Sequence, residues 1–216
     1  ADEGINVFNL IFEGRLNKAR EQLSMIVGRD TQDLNESEII RATVETVAES
    51  VVDGVISPIF YAALGGAPLA MAYKAVNTLD SMVGYRNQRH EELGCFSARL
   101  DDAANFIPAR ISAVLIPIAS LLMRMYCIGS IKTILLDGGK SPSPNSGISQ
   151  AGFAGALKIQ LGGDNYYEGV KHSKPVIGFA HKDREIKDIK RSIYLMYVVS
   201  TLTLLSAVFM LIIFDL

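Results

Sequence analysis

The stretch from Ile193 to Phe214, IYLMYVVSTLTLLSAVFMLIIF, runs 22 residues without one charged side chain. As a helix it would reach ~33 Å, enough for the hydrocarbon core of a bilayer. A buried helix of a soluble protein keeps some polar face over such a length, and this one has none. The stretch therefore reads as a transmembrane helix. Lys182, Arg184, Lys187, Lys190 and Arg191 precede it, and only Asp215 and Leu216 follow. By the positive-inside tendency the polar region before the span is expected in the cytoplasm and the C-terminus outside.

Two earlier apolar stretches are less regular. Val55 to Met71 is interrupted by Gly65, Gly66 and Pro68, and Ile111 to Leu136 by Pro117, Arg124 and Lys132. Such interruptions weaken a straight helix and suit re-entrant or interfacial elements buried in protein. The expectation is that neither makes a simple full crossing, so that the polar regions between and after them meet on the cytoplasmic side. Residues 137–181, rich in Gly, Ser, Pro and Asn, read as loop-rich, above all at Asp137–Gly147 and Leu161–Tyr167. The fold class is mostly α: an integral membrane helical protein with broken or re-entrant apolar helices, cytoplasmic polar loops and a C-terminal transmembrane helix, over 1–216 as a single membrane domain.

Upstream, Asn6 to Phe12 is apolar and Gly14 to Arg29 reads as a basic amphipathic helix, broken at Gly28-Arg29-Asp30-Thr31. Residues 1–30 read as the continuation of an earlier segment. Asn35 with Glu38 forms a capping-box signature. The helix it opens puts Arg41, Glu45, Glu49 and Asp53 at successive i,i+4 positions on one face. A solvated row of ion pairs is the ordinary explanation for such spacing, but this row runs straight into apolar sequence.

Function enters with two polar blocks set against that apolar sequence. They are Tyr73-Lys-Ala-Val-Asn-Thr-Leu-Asp-Ser-Met-Val-Gly-Tyr85 and Ser97-Ala-Arg-Leu-Asp-Asp-Ala-Ala-Asn-Phe-Ile-Pro-Ala-Arg110. Charge beside membrane-grade apolar sequence is expensive and usually functional. On a helix Asp101 and Asn105 share a face, with Asp102 beside them, and Asn77 and Asp80 form a second pair. Hard oxygen ligands of this kind suit Mg²⁺, which takes one or two carboxylates and completes its shell with water and phosphate oxygens. Lys74, Arg99 and Arg110 stand in the same blocks, and carboxylates mixed with cations fit a metal–phosphate site better than a cation pore. Arg29 can grip phosphate or carboxylate bidentately, and Ser143-Pro144-Asn145 forms a turn able to present backbone N–H groups.

Other classes are excluded. The net charge of −2 and the lack of a basic stripe with interleaved aromatics argue against nucleic acid. Cys95 and Cys127 are too few for a disulfide framework and lack metal-site spacing. His90, His172 and His181 are scattered. Gly138-Gly-Lys-Ser141 is not a P-loop, because Ile134 stands where that motif needs glycine and prolines follow where a helix should begin.

The strings GRDT, RATVETVAES, DGVISPIFY, YKAVNTLDSMVGY, ARLDDAANFIPAR, SPNSG and LGGDNYYEG occur in this order. Together they resemble the membrane-bound adenosylcobinamide-phosphate synthase family of cobalamin biosynthesis, over residues 13–180. YKAVNTLDSMVGY with ARLDDAANFIPAR carries most of the resemblance. It implies an integral inner-membrane enzyme of a bacterium or archaeon, with its site facing the cytoplasm. It also implies a ligase that joins adenosylcobyric acid to (R)-1-aminopropan-2-ol or its O-phosphate through an amide bond, with ATP as co-substrate and Mg²⁺ as cofactor, the corrinoid being substrate.

On this resemblance Asp80, Asp101 and Asp102 are expected to hold metal, and Arg29, Lys74, Arg99 and Arg110 phosphate or carboxylate. Glu45 and Glu49 are expected to bind the amine or accept its proton. Asp53, Asn77, Ser143 and Asn145 are expected to contact substrate. Expected partners are these substrates, membrane lipid, and further copies or other cobamide-assembly proteins. The family commonly has Asn where this chain has Ser50, and carries membrane segments ahead of the GRDT region, where about 28 residues stand here; an N-terminal piece is expected to be missing. Two other classes stay open: a non-catalytic corrinoid-binding or scaffolding component of a membrane assembly, and a small transporter.

Overall fold

A computed structural model describes residues 1–83 and 91–214. Gly84 and Tyr85 of the first polar block, His90 and the flank Asp215-Leu216 lie outside the described residues. Helices dominate: α1 (Asp2–Phe12), α2 (Leu16–Ser24), α3 (Glu36–Val51), a π-helical turn (Val52–Ile56), α4 (Ser57–Val83), α5 (Glu91–Leu122), α6 (Cys127–Asp137) and α7 (Ser146–Leu157). The antiparallel hairpin β1 (Leu161–Tyr167) and β2 (Val170–Ile177) follows, then α8 (Lys187–Phe214).

α3 begins as its sequence requires. The Asn35 side chain accepts from the Glu38 N–H at 3.0 Å, and Glu38 reaches back to the Asn35 N–H. α2 is shorter than the Gly14–Arg29 helix expected, starting only at Leu16 and ending at Ser24.

Among the described residues three helices are long and apolar enough to cross a membrane: Glu36–Met82, Gly94–Leu122 and Lys187–Ile213. The first is not one straight rod. Gly65 and Gly66 leave helical geometry, with Gly66 at φ 66°, ψ −160°, a conformation open in practice only to glycine. The chain folds back there. Tyr73 stacks on Tyr61 with ring centroids 5.1 Å apart, whereas twelve residues of continuous helix would separate them by ~18 Å. The Tyr73 hydroxyl also lies 3.3 Å from the carbonyl of Asp53. The outgoing limb, 57–64, has eight residues and reaches ~12 Å, so the segment is re-entrant in form.

The second apolar stretch departs from expectation. Pro108 and Pro117 sit inside an unbroken α5 that is itself long enough to cross, and the chain breaks only at Met123–Tyr126. α6 and α7 then pack together closely. A Cβ on Gly155 would lie 2.2 Å from the Gly129 carbonyl oxygen, so the two helices need glycine at that contact.

Residues 137–181 are more ordered than the loops expected from their composition. The buried helix α7 and the hairpin occupy most of the segment. α7 carries Ala151, Phe153, Ala154 and Leu157 into a core shared with Ile39, Ile40 and Val44 of α3, Ile116 and Ala119 of α5, and Ile189, Ile193 and Leu195 of α8. Ala119, Ala151 and Ala154 allow close helix approach, and burial of the larger apolar side chains contributes roughly 25 cal/mol per Å². The buried row of α8 ends near Thr203; Leu204, Leu205, Phe209, Met210, Ile212 and Ile213 are exposed, the surface expected of a segment whose solvent is lipid.

Candidate active site

The i,i+4 row of α3 is not a solvated ion-pair ladder. Arg41 and Glu45 are buried, and their partners come from elsewhere. Glu45 Oε2 accepts from Arg29 Nη2 at 2.7 Å, and Oε1 accepts from the Gly162 N–H at 2.8 Å. Arg41 donates to the carbonyl of Asp164 at 2.9 Å and to Asn165 Oδ1 at 3.1 Å, and also to the carbonyl of Gly162. Arg29 also donates to Asn165. Asp30 closes the system by accepting from the N–H of Glu168 and of Gly169, at 3.2 and 2.8 Å, in the hairpin turn. The GRDT and LGGDNYYEG strings, about 130 residues apart, are thus two halves of one docking device that seats the hairpin on α3.

Glu49 and Asp53 continue that row to a different place. Glu49 accepts from Gln150 Nε2 of α7 at 2.5 Å. It lines three cavities: one of about 100 Å³ with Asp53, Asp101, Asn105, Asn145 and Ser149, one of about 270 Å³ with Lys174 and Ser143, and one of about 400 Å³ with Arg29 and Tyr167. Asp53 belongs to the π-helical turn, whose extra residue re-aims the side chains that follow.

Around the smallest cavity the two polar blocks lock together. Asp101 accepts from Asn105 Nδ2 at 2.9 Å and from Asn77 Nδ2 at 3.3 Å, and Asn77 in turn accepts from Lys74 at 3.2 Å. Asn105 Oδ1 takes the hydroxyls of Ser57 at 2.6 Å and Tyr73 at 3.0 Å. Every polar atom of the buried Asn105 amide is therefore directed, and its N–H₂ is turned to Asp101. Asp102 accepts from Ser143 Oγ at 2.7 Å and from Asn145 Nδ2 at 3.2 Å. Arg110, stacked over Phe106 at 3.6 Å, donates to Asn145 Oδ1 at 2.7 Å.

Asp80 lies within electrostatic reach of Asp101 and Asp102, and its buried Oδ1 has no hydrogen-bond partner among the described residues. Among the described residues no group of three or more His, Cys, Asp or Glu side chains is placed to hold a metal ion. The orphaned oxygen of Asp80 fits a divalent cation that uses one or two carboxylates and draws its other ligands from water and phosphate.

Most of the residues singled out from sequence converge here: Glu49, Asp53, Lys74, Asn77, Asp80, Asp101, Asp102, Arg110, Ser143 and Asn145. Arg29 and Glu45 instead spend their polar atoms on each other and on the hairpin, although both line the largest of the three cavities. Arg99 is exposed, with no ion pair or hydrogen bond to the acidic groups among the described residues. Tyr73, Gln150, Ser149 and Lys174 were not singled out. Tyr73 lies within a quoted string, but its role depends on the fold-back at Gly66. Lys174 sits on a strand with no chemical motif, and nothing in its sequence neighbourhood marks it.

Outside the acidic centre, Asp164 and Lys171 face each other on the hairpin at 2.7 Å. Hydrogen bonds from Lys171 and Ser173 hold the Asp164 carboxyl below the usual carboxylate range, and Asp164 raises Lys171.

Comparison with known proteins places these residues in context. A family profile described as "CobD/Cbib protein" matches residues 1–196. The chain is 50% identical over 205 residues to the Cobalamin biosynthesis protein CobD of Clostridium perfringens, covering 95% of this chain and 65% of that protein. It is 53% identical over 189 residues to the Cobalamin biosynthesis protein CbiB of Salmonella typhimurium, covering 88% and 59%. It is 45% identical over 202 residues to a CobD of Leptospira interrogans, covering 94% and 64%. The chain thus spans about three fifths to two thirds of the length of the curated relatives it matches. No solved structure matches it.

Proposed function

This chain belongs to the CobD/Cbib protein family, and from that premise we propose that it serves cobalamin biosynthesis as the amide-forming ligase adenosylcobinamide-phosphate synthase. It joins the free carboxylate of adenosylcobyric acid to (R)-1-aminopropan-2-ol or its O-phosphate, in the inner membrane, with the site open to the cytoplasm. ATP is the co-substrate. The observation that carries this reading is the small cavity where Glu49, Asp53, Asp101, Asn105 and Asn145 meet, with Asp102 bonded to Ser143 and Asn145 of its lining and Asp80 within electrostatic reach of Asp101.

The chemistry follows from what an amide bond needs. A carboxylate does not react with an amine at neutral pH until an oxygen is made a leaving group. Transfer of the γ-phosphoryl group of ATP to the corrinoid carboxylate gives an acyl phosphate and ADP. The amine nitrogen then attacks the acyl carbon, phosphate departs, and the nitrogen loses a proton. Mg²⁺, held by Asp80 with Asp101, would supply charge neutralisation for the phosphate oxygens.

The side chains take the remaining parts. Asn77 and Asn105 hold both oxygens of Asp101 in place through amide donors, so its orientation is set before any ligand arrives. Asn145, itself gripped by Arg110, holds Asp102 in the same way. Lys74, at the exposed edge, attracts phosphate oxygens. Glu49 sits where three cavities meet and is the group to orient the amine and receive its proton; Gln150 fixes its carboxylate, and Lys174 shares its cavity.

The test is product formation. The protein in native-like membrane, given adenosylcobyric acid, aminopropanol phosphate and Mg-ATP, should form the amide and release ADP in equal amounts. Corrinoid binding with neither product would instead establish a non-catalytic carrier.

A further inference from the structure

A second cavity, of about 490 Å³, opens where the ends of α5 and α7 meet the approach to α8. It shares no lining residue with the acidic centre, and its charge is opposite: Arg124, Lys158, Lys182 and Arg191 all line it. Lys182 is answered by Asp188 at 2.6 Å, and Arg191 approaches the same carboxylate at 3.6 Å. Arg124 and Lys158 have no ion pair among the described residues; Lys158 lies over the Tyr126 ring at 4.7 Å. The cavity wall therefore holds a cationic excess.

The backbone singles out the same two residues. Only three non-glycine residues among those described have positive φ, and Arg124 (54°) and Lys158 (62°) are two of them. Left-handed backbone is unfavourable for an L-residue with a Cβ, and glycine or asparagine is the cheaper occupant of such a helix end. Attraction to a helix C-terminus explains a cation nearby, but it does not require that cation on the left-handed residue itself. Two long cationic side chains, each on an unfavourable backbone and each on the same wall, indicate a demand of the site rather than of the fold.

Met123, Met125, Tyr126, Ala156 and Leu157 line the cavity beside the four cations, and Leu121 and Leu122, next to Met123 in the chain, are exposed, so apolar surface adjoins the basic wall. We propose that this cavity binds a phosphate group, with the Arg124 guanidinium and the Lys158 ammonium as its primary donors. A guanidinium offers phosphate two parallel N–H bonds and an ammonium adds a point charge. The phosphate belongs either to an anionic lipid headgroup entering past the apolar surface or to a soluble phosphate ligand.

The two sources are separated by two arms on the full chain. In one, the protein in phosphatidylcholine nanodiscs is compared with the protein in nanodiscs containing phosphatidylglycerol, and retained lipid is counted by native mass spectrometry. In the other, inorganic phosphate and pyrophosphate are titrated calorimetrically in neutral detergent. The variant Arg124→Asn with Lys158→Asn removes both cations and keeps residues that tolerate left-handed backbone. Lys171→Gln removes a hairpin cation elsewhere. Binding should appear in at least one arm and weaken about tenfold or more in the double Asn variant, the effect of losing a charge-assisted bond of about 1.5–3 kcal/mol. Lys171→Gln should leave it within about twofold, as expected for a screened surface charge. Selective phosphatidylglycerol retention assigns the phosphate to lipid, and phosphate or pyrophosphate binding assigns it to a soluble ligand. Binding in neither arm overturns the proposal, as does equal weakening by Lys171→Gln.

Discussion

Asn145 Nδ2 lies 2.8 Å from the carbonyl oxygen of Asp102 and 3.2 Å from the carboxylate of the same residue. One amide thus fixes both the backbone and the side chain of an aspartate 43 positions earlier, and it does so while its own oxygen accepts from Arg110. Replacing Asn145 with Ala removes three bonds at a buried position. Each unsatisfied partner costs about 1–3 kcal/mol. Asn145→Ala should lower the thermal unfolding midpoint in detergent and cut product formation at least about tenfold. Wild-type turnover together with an unchanged midpoint would show that Asp102 is held by other means.

Glu49 offers a cleaner separation of chemistry from stability. Glu49→Gln keeps the shape and an oxygen for Gln150 to donate to, but it cannot take a proton from an amine. Positioned general bases contribute about 10²–10⁴ in rate. The variant should lose about that factor in amide formation, with corrinoid binding and unfolding midpoint near wild type. A loss of less than about threefold would remove Glu49 from the proton's path.

Arg29 and Glu45 should behave in the opposite way. Their contact is buried, with side chains 6% and 9% exposed, so removing one partner strands a charge. Such losses run to about 3–5 kcal/mol, whereas replacing both ions with apolar groups of similar size is often close to neutral. Arg29→Met alone should destabilise the protein strongly, and Arg29→Met with Glu45→Leu should recover much of that loss. Unfolding of the single and double variants in one detergent measures the coupling.

What could be read from sequence divides along physical lines. The C-terminal helix, the Asn35 cap and the break at Gly65-Gly66 rest on local rules: sustained hydropathy, a side chain reaching its own helix end, and a backbone that only glycine adopts. Asp101, Asp102 and Asn77 stand out in the sequence because carboxylates mixed with cations beside apolar sequence are expensive unless they serve a site. Asn145 reads there only as part of a turn, and its bond to Asp102 depends on the fold. The hairpin is not legible there. Leu161–Tyr167 shows no clean alternation, and its strands are held by Arg29, Arg41 and Glu45 from distant positions rather than by strand propensity. For the same reason Arg29 and Glu45 could be recognised as charged residues that matter without revealing that they face each other.

The hairpin carries its own pH dependence. Asp164 has a depressed carboxyl, held down by Lys171 and Ser173. A group of this kind contributes stability that is fully present above its unfolded value near 3.9 and is lost as pH falls through the lower folded value. Amide exchange in 161–177, corrected for intrinsic rates, should therefore accelerate below about pH 4 in the wild type. Asp164→Asn should exchange faster at neutral pH and show little further change on acidification. A wild-type profile flat down to about pH 2 would show that the Asp164 carboxylate does not stabilise the hairpin.

Gly66 decides whether the acidic centre forms at all, because the fold-back it permits delivers Tyr73, Asn77 and Asp80 to Asp101. At φ 66°, ψ −160° any residue with a Cβ is strained, by about 1–3 kcal/mol. Gly54, in the π-helical turn, is a matched control: a Cβ there meets nothing within 4 Å. Gly66→Ala should lower the unfolding midpoint and, since the strain is relieved by opening the turn, should also separate Tyr61 from Tyr73. Cysteines placed at 61 and 73 would report this as slower crosslinking in the Gly66→Ala background. Gly54→Ala should leave crosslinking and midpoint close to wild type. If Gly66→Ala crosslinks as fast as its parent, glycine is not what shapes the turn or the site it delivers.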